Sequence, residues 1–322
     1  MSKPYADLED ITFGVELETH RPTDVEGRIG GYHNGVAVPW ANCGSTGYNR
    51  KKWTAERDGS IHGTRSGYVG CEYVSPIMKG EKGLENLMKF VDLLKERGHR
   101  VNRSCGVHIH LGLKSIVGEN ASPDDVVAFL AQLNKYVFNW QDALFGQTGT
   151  RRGEMTYSAR MQAGENMVER IKTISEKPKG TKTEQDIREV GYASTRYRAV
   201  NLTNMTRGNS SSATIEFRFG AGTLNPNKLL MHFASCVFMA RLAWKTRHNK
   251  RDAVSWELNK GYHRRPAKAG VRGVKFLSRR MNSARAGYRL KEESAVMADR
   301  WDRMHETALE MARKYDSRCP NR

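Results

Sequence analysis

Three stretches of this chain alternate strictly between apolar and polar residues, and the polar positions hold an uncommon set of side chains. From Ile11 to Glu18, one face is Ile11, Phe13, Val15 and Leu17, and the other is Thr12, Gly14, Glu16 and Glu18. From Gly106 to Gly112, Val107, Ile109 and Leu111 oppose His108 and His110. From Thr214 to Phe219, Ile215, Phe217 and Phe219 oppose Thr214, Glu216 and Arg218. Successive side chains of a strand point to opposite faces, so each stretch reads as a strand with one buried and one polar side. Alternation alone fits any sheet with a wet face. A face that is merely solvated carries Lys, Thr and Ser, whereas paired Glu and paired His beside glycines describe a concave, metal-lined surface with helices behind it.

The intervening sequence supplies those helices. Leu84, Leu87, Met88, Val91 and Leu94 recur at helical spacing between Glu81 and Arg97, and Gly98 is the stop. Ser122-Pro123-Asp124-Asp125 provides an N-cap, a proline at the first position and acids in the first turn, predicting a helix to about Phe145 that ends at Gly146. Asn225-Pro226 opens a largely buried helix to about Lys245, and Glu292 to Tyr315 is amphipathic, with Met297, Trp301, Met304 and Leu309 available for packing. Further strands are expected at Val101 to Leu113 and Arg196 to Asn204. Residues 21–70 read as loops or short hairpins, and the polar stretch 147–190, with Lys177-Pro178-Lys179-Gly180, as a mobile insertion. The expected organisation is a catalytic domain over 1–245 and a basic extension over 246–322, whose terminal helix packs on the same domain.

Composition excludes several classes. A hydrophobic fraction of 38% with 27% charged residues describes a globular chain of 322 residues, not a disordered one. The longest apolar stretch, Leu229 to Trp244, is interrupted by His232 and Arg241 and is too short to span a bilayer. No secretory-signal pattern is seen at the start, and five scattered cysteines without a CxxC fit reduced thiols in a cytoplasmic setting. Cys71 and Cys105 neighbour motif residues and read as small packing side chains. The net charge is +18, of which +13 lies between Arg241 and Arg322. Tyr262, Phe276 and Tyr288 are interleaved with the cations of Lys245 to Lys291. Such a segment suits nucleic acid or an acidic peptide, or a loop that closes on phosphate.

Two more acids join the polar set. Glu72 starts the short strand Glu72-Tyr73-Val74-Ser75-Pro76, and Asp58-Gly59-Ser60 reads as a turn. Carboxylates with one or two imidazoles suit Mg²⁺ or Mn²⁺. No GxxxxGK[ST] phosphate loop and no nucleophilic Ser or Cys triad accompanies them.

In chain order, Gly14-Val15-Glu16-Leu17-Glu18, Asp58-Gly59-Ser60, Glu72-Tyr73-Val74-Ser75-Pro76, Cys105-Gly106-Val107-His108-Ile109-His110 and Thr214-Ile215-Glu216-Phe217-Arg218 resemble the motifs of the amidoligase family. These are carboxylate–amine ligases related to glutamine synthetase and glutamate–cysteine ligase. The similarity covers roughly residues 10–240. It leaves the Gly/Asn-rich 21–50 segment and the basic C-terminal quarter unexplained. The resemblance implies an α+β fold with an antiparallel β-sheet funnel of glutamine synthetase catalytic-domain type, helices on the outer face, and ATP and acceptor entering from opposite ends. It implies that Glu16, Glu18, Glu72, His108 and Glu216 hold two or three Mg²⁺ ions, for which Mn²⁺ can substitute. His110 would face ATP or the transferred phosphate. Arg218 would clamp the γ-phosphate, joined by Arg196 or Arg198. Asp58 would ligate metal or take a proton from the amine. The implied reaction is ATP-dependent amide formation through an acyl phosphate, on an amino acid, peptide or nucleic-acid-linked substrate. A two-metal phosphoesterase or nuclease, and a non-catalytic nucleic-acid-binding protein, are the alternatives; Arg218 beside Glu216 and the order of the motifs favour the ligase.

Overall fold

A computed structural model describes residues 5–49, 51–154, 156–162, 164–248 and 270–318. The first alternating stretch becomes β1 (Thr12–Pro22), the middle strand of one open sheet. On one side lie β2 (Val36–Ala37), β3 (Thr54–Glu56) and β4 (Tyr68–Val74), with β4 against β1 and β2 at the edge. The two-residue β5 (Met78–Lys79) pairs with the start of β1. On the other side β6 (Gly106–Gly112) pairs with β1, and β7 (Val200–Asn201) forms the far edge beyond β8 (Thr214–Ala221). Every strand pairing is antiparallel.

The apolar face of this sheet is closed by helices. Phe13, Val15, Leu17, Val107, Ile109, Leu111, Ile215 and Phe217 are all buried. Phe13 meets Phe233 of a long helix at a ring separation of 4.7 Å. In chain order the helices are α1 (Gly80–Glu96), α2 (Leu113–Val117), α3 (Pro123–Gly146), α4 (Asn166–Ser175), α5 (Glu184–Ala193), α6 (Pro226–Thr246), α7 (Gly270–Ser283), α8 (Arg285–Glu292) and α9 (Ala295–Arg318). α1 approaches β1 so closely that a Cβ at Gly83 would stand 3.1 Å from the Phe13 ring. Local signals place the ends: Ser122 accepts from the Asp125 amide at the start of α3, and Gly98, at φ +71°, follows α1 in the left-handed region.

The stretch 147–190, expected as a mobile insertion, carries regular structure that its polar composition did not signal. It contains α4 and α5, which bury Met167, Val168, Ile171 and Ile174 and Ile187 and Val190 against each other and α3. Those apolar residues repeat at helical spacing inside a polar composition, and Thr183 with Asp186 forms a capping box at the start of α5. The expected strand at Arg196 to Asn204 reduces to Val200–Asn201.

Beyond residue 245, α7 packs on α3 and α9, and α8 and α9 on α6. The part of the basic segment at 249–269 lies outside the described residues. Arg241 of α6, fully buried, donates to Glu293 at 2.7 Å and reaches the Ala286 carbonyl at 3.4 Å. Glu293 also accepts from the Leu8 amide, so the N-terminal segment, α6 and the end of α8 meet at one carboxylate. Among the described residues no helix is long and apolar enough to cross a membrane.

Removing one member of a buried ion pair leaves the other charge uncompensated and costs about 3–5 kcal/mol, whereas replacing both with apolar groups is often neutral. Glu293→Ala should therefore lower unfolding free energy by that amount in urea titrations. Adding Arg241→Met should restore most of it; a double variant no better than the single would show that Glu293 acts through some other contact.

Candidate active site

The polar face is assembled by strand register. Glu18 lies opposite Glu72, and Glu72 opposite Glu56, across β1, β4 and β3. Glu16 lies opposite His108. His110 stands between Gly14 and Glu216, and Glu216 lies opposite Asn201. The register of β6 against β8 shifts by one between Val107 and Ile109, so Arg218 and Phe219 together oppose His108. An extra residue of this kind increases local twist and re-aims the side chains beside it.

His108 is the centre of the cluster. Its Nδ1 is 2.8 Å from Glu16, 3.8 Å from Glu216 and 4.0 Å from Glu72, and its Nε2 is 3.4 Å from Glu18. Glu16 also reaches His110 Nε2 at 3.0 Å. Glu18 accepts from the Gly106 amide at 2.6 Å. A Cβ at Gly106 would collide with the guanidinium of Arg152, which is buried with Nη2 3.4 Å from His108 Nε2 and feels the charge of Glu18. A side chain at that position would have to displace the Arg152 guanidinium from His108.

Electrostatics follow from this crowding. Burial and the charges of Glu16, Glu18, Asp58 and Glu56 push the Glu72 carboxyl up to about 10. Burial works against charge on Glu16 too, yet His110 and His108 outweigh it and hold Glu16 well below the usual carboxylate range. Burial disfavours a charged His110, but Glu16 and Glu216 overcome it and raise the imidazole to about 9. Burial raises Glu56 as well, with Glu16 adding to the effect and His33 opposing it.

Three donor sets each bring one ligand atom per residue within 4.8 Å of the others: Glu16, His110 and Glu216; Glu16, Glu72 and His108; and Glu18, Asp58 and Glu72. A carboxyl held protonated by burial and neighbouring carboxylates is what a divalent cation relieves, and oxygen-rich sets with at most one imidazole match hard ions. The residues present fit Mg²⁺ or Mn²⁺.

Above the sets opens a cleft of about 810 Å³, lined by Glu16, Asp58, Glu72, His108, His110 and Glu216 and edged by Arg57, Arg196, Arg207 and Arg218. Arg218 is held by Glu216 and by the Tyr157 carbonyl at 3.1 Å, and Arg196 donates to the Tyr32 hydroxyl at 2.7 Å. A hollow of about 320 Å³ continues past Glu16 and His110, with Tyr48, Val74 and Ile77 on its walls and Arg207 shared between the two.

Nine of the ten site residues expected from sequence thus gather on or beneath the cleft: Glu16, Glu18, Asp58, Glu72, His108, His110, Arg196, Glu216 and Arg218. Arg198 does not join them. It pairs with Glu165 at 2.8 Å and lines a neighbouring hollow. His110, expected on phosphate, also belongs to a donor set. Sequence reasoning missed Glu56, Arg152, Asn201, Arg57 and Arg207. Glu56 ends the three-residue β3 and meets Glu72 across the strand pair, a position that local alternation does not reveal. Asn201 donates to Glu216 at 2.5 Å from a two-residue strand too short to show alternation. Cys43, Cys71, Cys105 and Cys236 are all buried, with Cys71 pushed up by burial to about 12, so they act as packing groups.

An open antiparallel sheet thus presents overlapping acidic clusters that could hold metal ions beneath an arginine-edged cleft. Residues 9–239 match the family model described as "Putative amidoligase enzyme", and the chain belongs to that family, which places it among the carboxylate–amine ligases. No curated protein matches the chain in sequence. A solved structure described as "Crystal structure of novel glutamine synthase homolog" aligns with 97% of this chain and 67% of its own, at 13% identity and a TM-score of 0.37.

The donor sets predict a metal-linked stability. Glu72, with its folded value raised to about 10 against a usual 4.5, binds a proton that the unfolded chain has released over that interval. The native state holds the extra proton, so the metal-free protein loses stability as pH rises through this window. Glu72→Gln, neutral in both the folded and the unfolded chain, should flatten that loss and, without metal, melt above wild type near pH 7. In wild type Mg²⁺ should raise Tm by mass action, and in Glu72→Gln that rise should shrink. Coincident wild-type melts in Mg²⁺ and in EDTA would show that the sets hold no metal.

Proposed function

We propose that the protein is an ATP-dependent ligase that joins a carboxylate to an amine through an acyl phosphate. The observation that carries this reading is the overlap of the three donor sets, through Glu16 and Glu72, on the floor of a cleft whose rim is cationic. A carboxylate is a poor electrophile, and its oxygen a poor leaving group. Transfer of the γ-phosphoryl group of ATP to the carboxylate releases ADP and gives a mixed anhydride that an amine can attack. The tetrahedral adduct then expels inorganic phosphate, and the nitrogen loses a proton.

Phosphoryl transfer needs alignment and charge compensation more than covalent help from protein groups. Glu16, Glu18, Glu72, His108, His110, Glu216 and Asp58 would hold divalent cations, which when bound neutralise charge on the phosphate oxygens. Arg218, at the cleft edge beside Glu216, binds the transferring group through its planar fork, with Arg207 and Arg196 also at the rim. Asp58, at the cleft edge beside Glu72, accepts the proton of the incoming amine. The hollow walled by Tyr48, Val74 and Ile77 suits the flat, apolar faces of the adenine ring, leaving the arginine end for the acid.

Mixtures of ATP, Mg²⁺, candidate carboxylates and hydroxylamine test this directly. ADP release should depend on the carboxylate, with hydroxamate formed in equal amount. Arg218→Ala should reduce turnover by about 10³-fold, the scale of losing a charge-stabilising arginine in phosphoryl transfer. Glu16→Ala, which breaks two donor sets, should also abolish it, while Arg198→Ala, outside the cleft, should retain it. Cleavage of DNA or RNA with metal and without ATP, and no hydroxamate across the mixtures, would assign the cleft to phosphodiester hydrolysis instead.

A further inference from the structure

Ligation leaves the chain's largest charge asymmetry unused. Between Gly270 and Lys291 there are seven Lys and Arg and no Asp or Glu. α7 buries Gly273, Val274, Leu277 and Met281. Helical spacing then turns Arg272, Lys275, Phe276, Arg279 and Arg280 outward together, and all five are exposed. Arg285 and Tyr288 of α8, also exposed, extend the same basic, aromatic composition. Among the described residues Arg272, Lys275, Arg279, Arg280 and Arg285 have no ion-pair partner, whereas Arg289 is held by Asp7 and Glu293.

This arrangement opposes stability. Lys275 and Arg279 stand four apart and Arg272 and Lys275 three apart, spacings at which like charges repel. The adjoining α9 mixes signs instead, pairing Arg303 with Asp299. The aromatic rings are equally informative. Phe276 leans edge-on against Trp140 at 5.6 Å and is still 37% exposed, and Tyr288 is 43% exposed. Apolar rings set among unpaired cations are the elements of a stacking platform inside a phosphate-binding surface.

We propose that the outer face of α7 and α8 binds single-stranded nucleic acid. Phosphates lie on Arg272, Lys275, Arg279, Arg280 and Arg285, and bases stack on Phe276 and Tyr288. Four of the five cations are arginines, whose planar fork engages phosphate oxygens in pairs. An acidic peptide would use the charges and leave the rings idle, and a duplex keeps its bases stacked away from them. α7 packs on α3 and α9, in the helical layer that covers the apolar side of the sheet. A strand bound there leaves the acidic cleft free, so the proposal stands apart from the ligase chemistry.

The test uses the full chain and a fluorescein-labelled 20-nucleotide DNA strand of mixed sequence, with anisotropy followed against salt. Five neutralised phosphates give a slope of log K against log[salt] of about −3.5 for a single strand. Arg279→Ala with Arg280→Ala should make the slope shallower by about 1.4, while Tyr288→Ala should weaken binding at every salt concentration and leave the slope unchanged. All three positions are exposed, so circular dichroism and hydroxamate turnover should match wild type. Unchanged affinity and slope in Arg272→Ala/Lys275→Ala/Arg279→Ala/Arg280→Ala would overturn the proposal. So would equal competition by poly-glutamate of matched charge, or tighter binding of a duplex of the same length.

Discussion

Glu16 and Glu18 face the cleft because Phe13, Val15 and Leu17 are buried on the opposite side of β1. A one-residue slip of β1 against β4 and β6 would exchange the two sets, placing carboxylates in the core and aromatic and aliphatic groups in water. Burying an apolar side chain of this size contributes about 1.5–3 kcal/mol. The neighbours of β1 repeat the constraint, with Val107, Ile109 and Leu111 on β6 and Tyr73 on β4 also buried. Core packing therefore sets the register, and the register sets which acids meet. The site is a by-product of the hydrophobic face, held at cross-strand distances that the acids themselves would not choose.

What the acids do choose is visible in their protonation. Glu72 is driven toward its neutral form while Glu16, against two imidazoles, is held charged. Two carboxyls on adjacent strands are thus pushed in opposite directions by their neighbours. The same divergence appears in the supporting groups: Arg152 lies beneath the His108 end, and Asn201 donates to Glu216 at the other. These partners fix side-chain positions without filling the cleft. A cation entering such a site meets ligands already oriented, and its own charge replaces the proton and the repulsion that the empty arrangement must carry.

How much of this was legible in the sequence depended on element length. β1, β6 and β8 have seven or more residues each, enough for period-two alternation to separate their faces, and the residues expected on their polar faces gather at the cleft. α3 and α1 announced their ends through Ser122-Pro123 and Gly98, which act within one turn of chain. Glu56 and Asn201 sit on strands of three and two residues, where pairing with a neighbour, not local pattern, makes the strand. Arg152 comes from a turn after α3 and reaches the site only through tertiary packing. Arg198 failed for the converse reason. The family resemblance offered it as an alternative to Arg196, but Glu165, 33 positions earlier in sequence, captures it at 2.8 Å. The helices of 147–190 were hidden by a polar composition whose spacing, not whose content, carried the signal.

Among the described residues, acidic and basic clusters lie on opposite sides of the same sheet. Its polar face gathers Glu16, Glu18, Glu56, Glu72, Glu216 and Asp58 around two imidazoles, and it is the rim, not the floor, that supplies arginines. Behind the apolar face, the helical layer holds Arg272, Lys275, Arg279, Arg280 and Arg285 of α7 and α8, which have no ion-pair partner among the described residues. The expectation that this segment closes over phosphate in the cleft does not suit its described part, which is fixed by Arg241 and Glu293 to α6 and by α7 to α3. A helix anchored by a buried ion pair on one side of a sheet is poorly placed to act as a lid on the other. Cations placed there do not neutralise the acids of the cleft. The basic surface and the acidic cleft can both persist in one small protein because a packed layer of strands and helices keeps them apart.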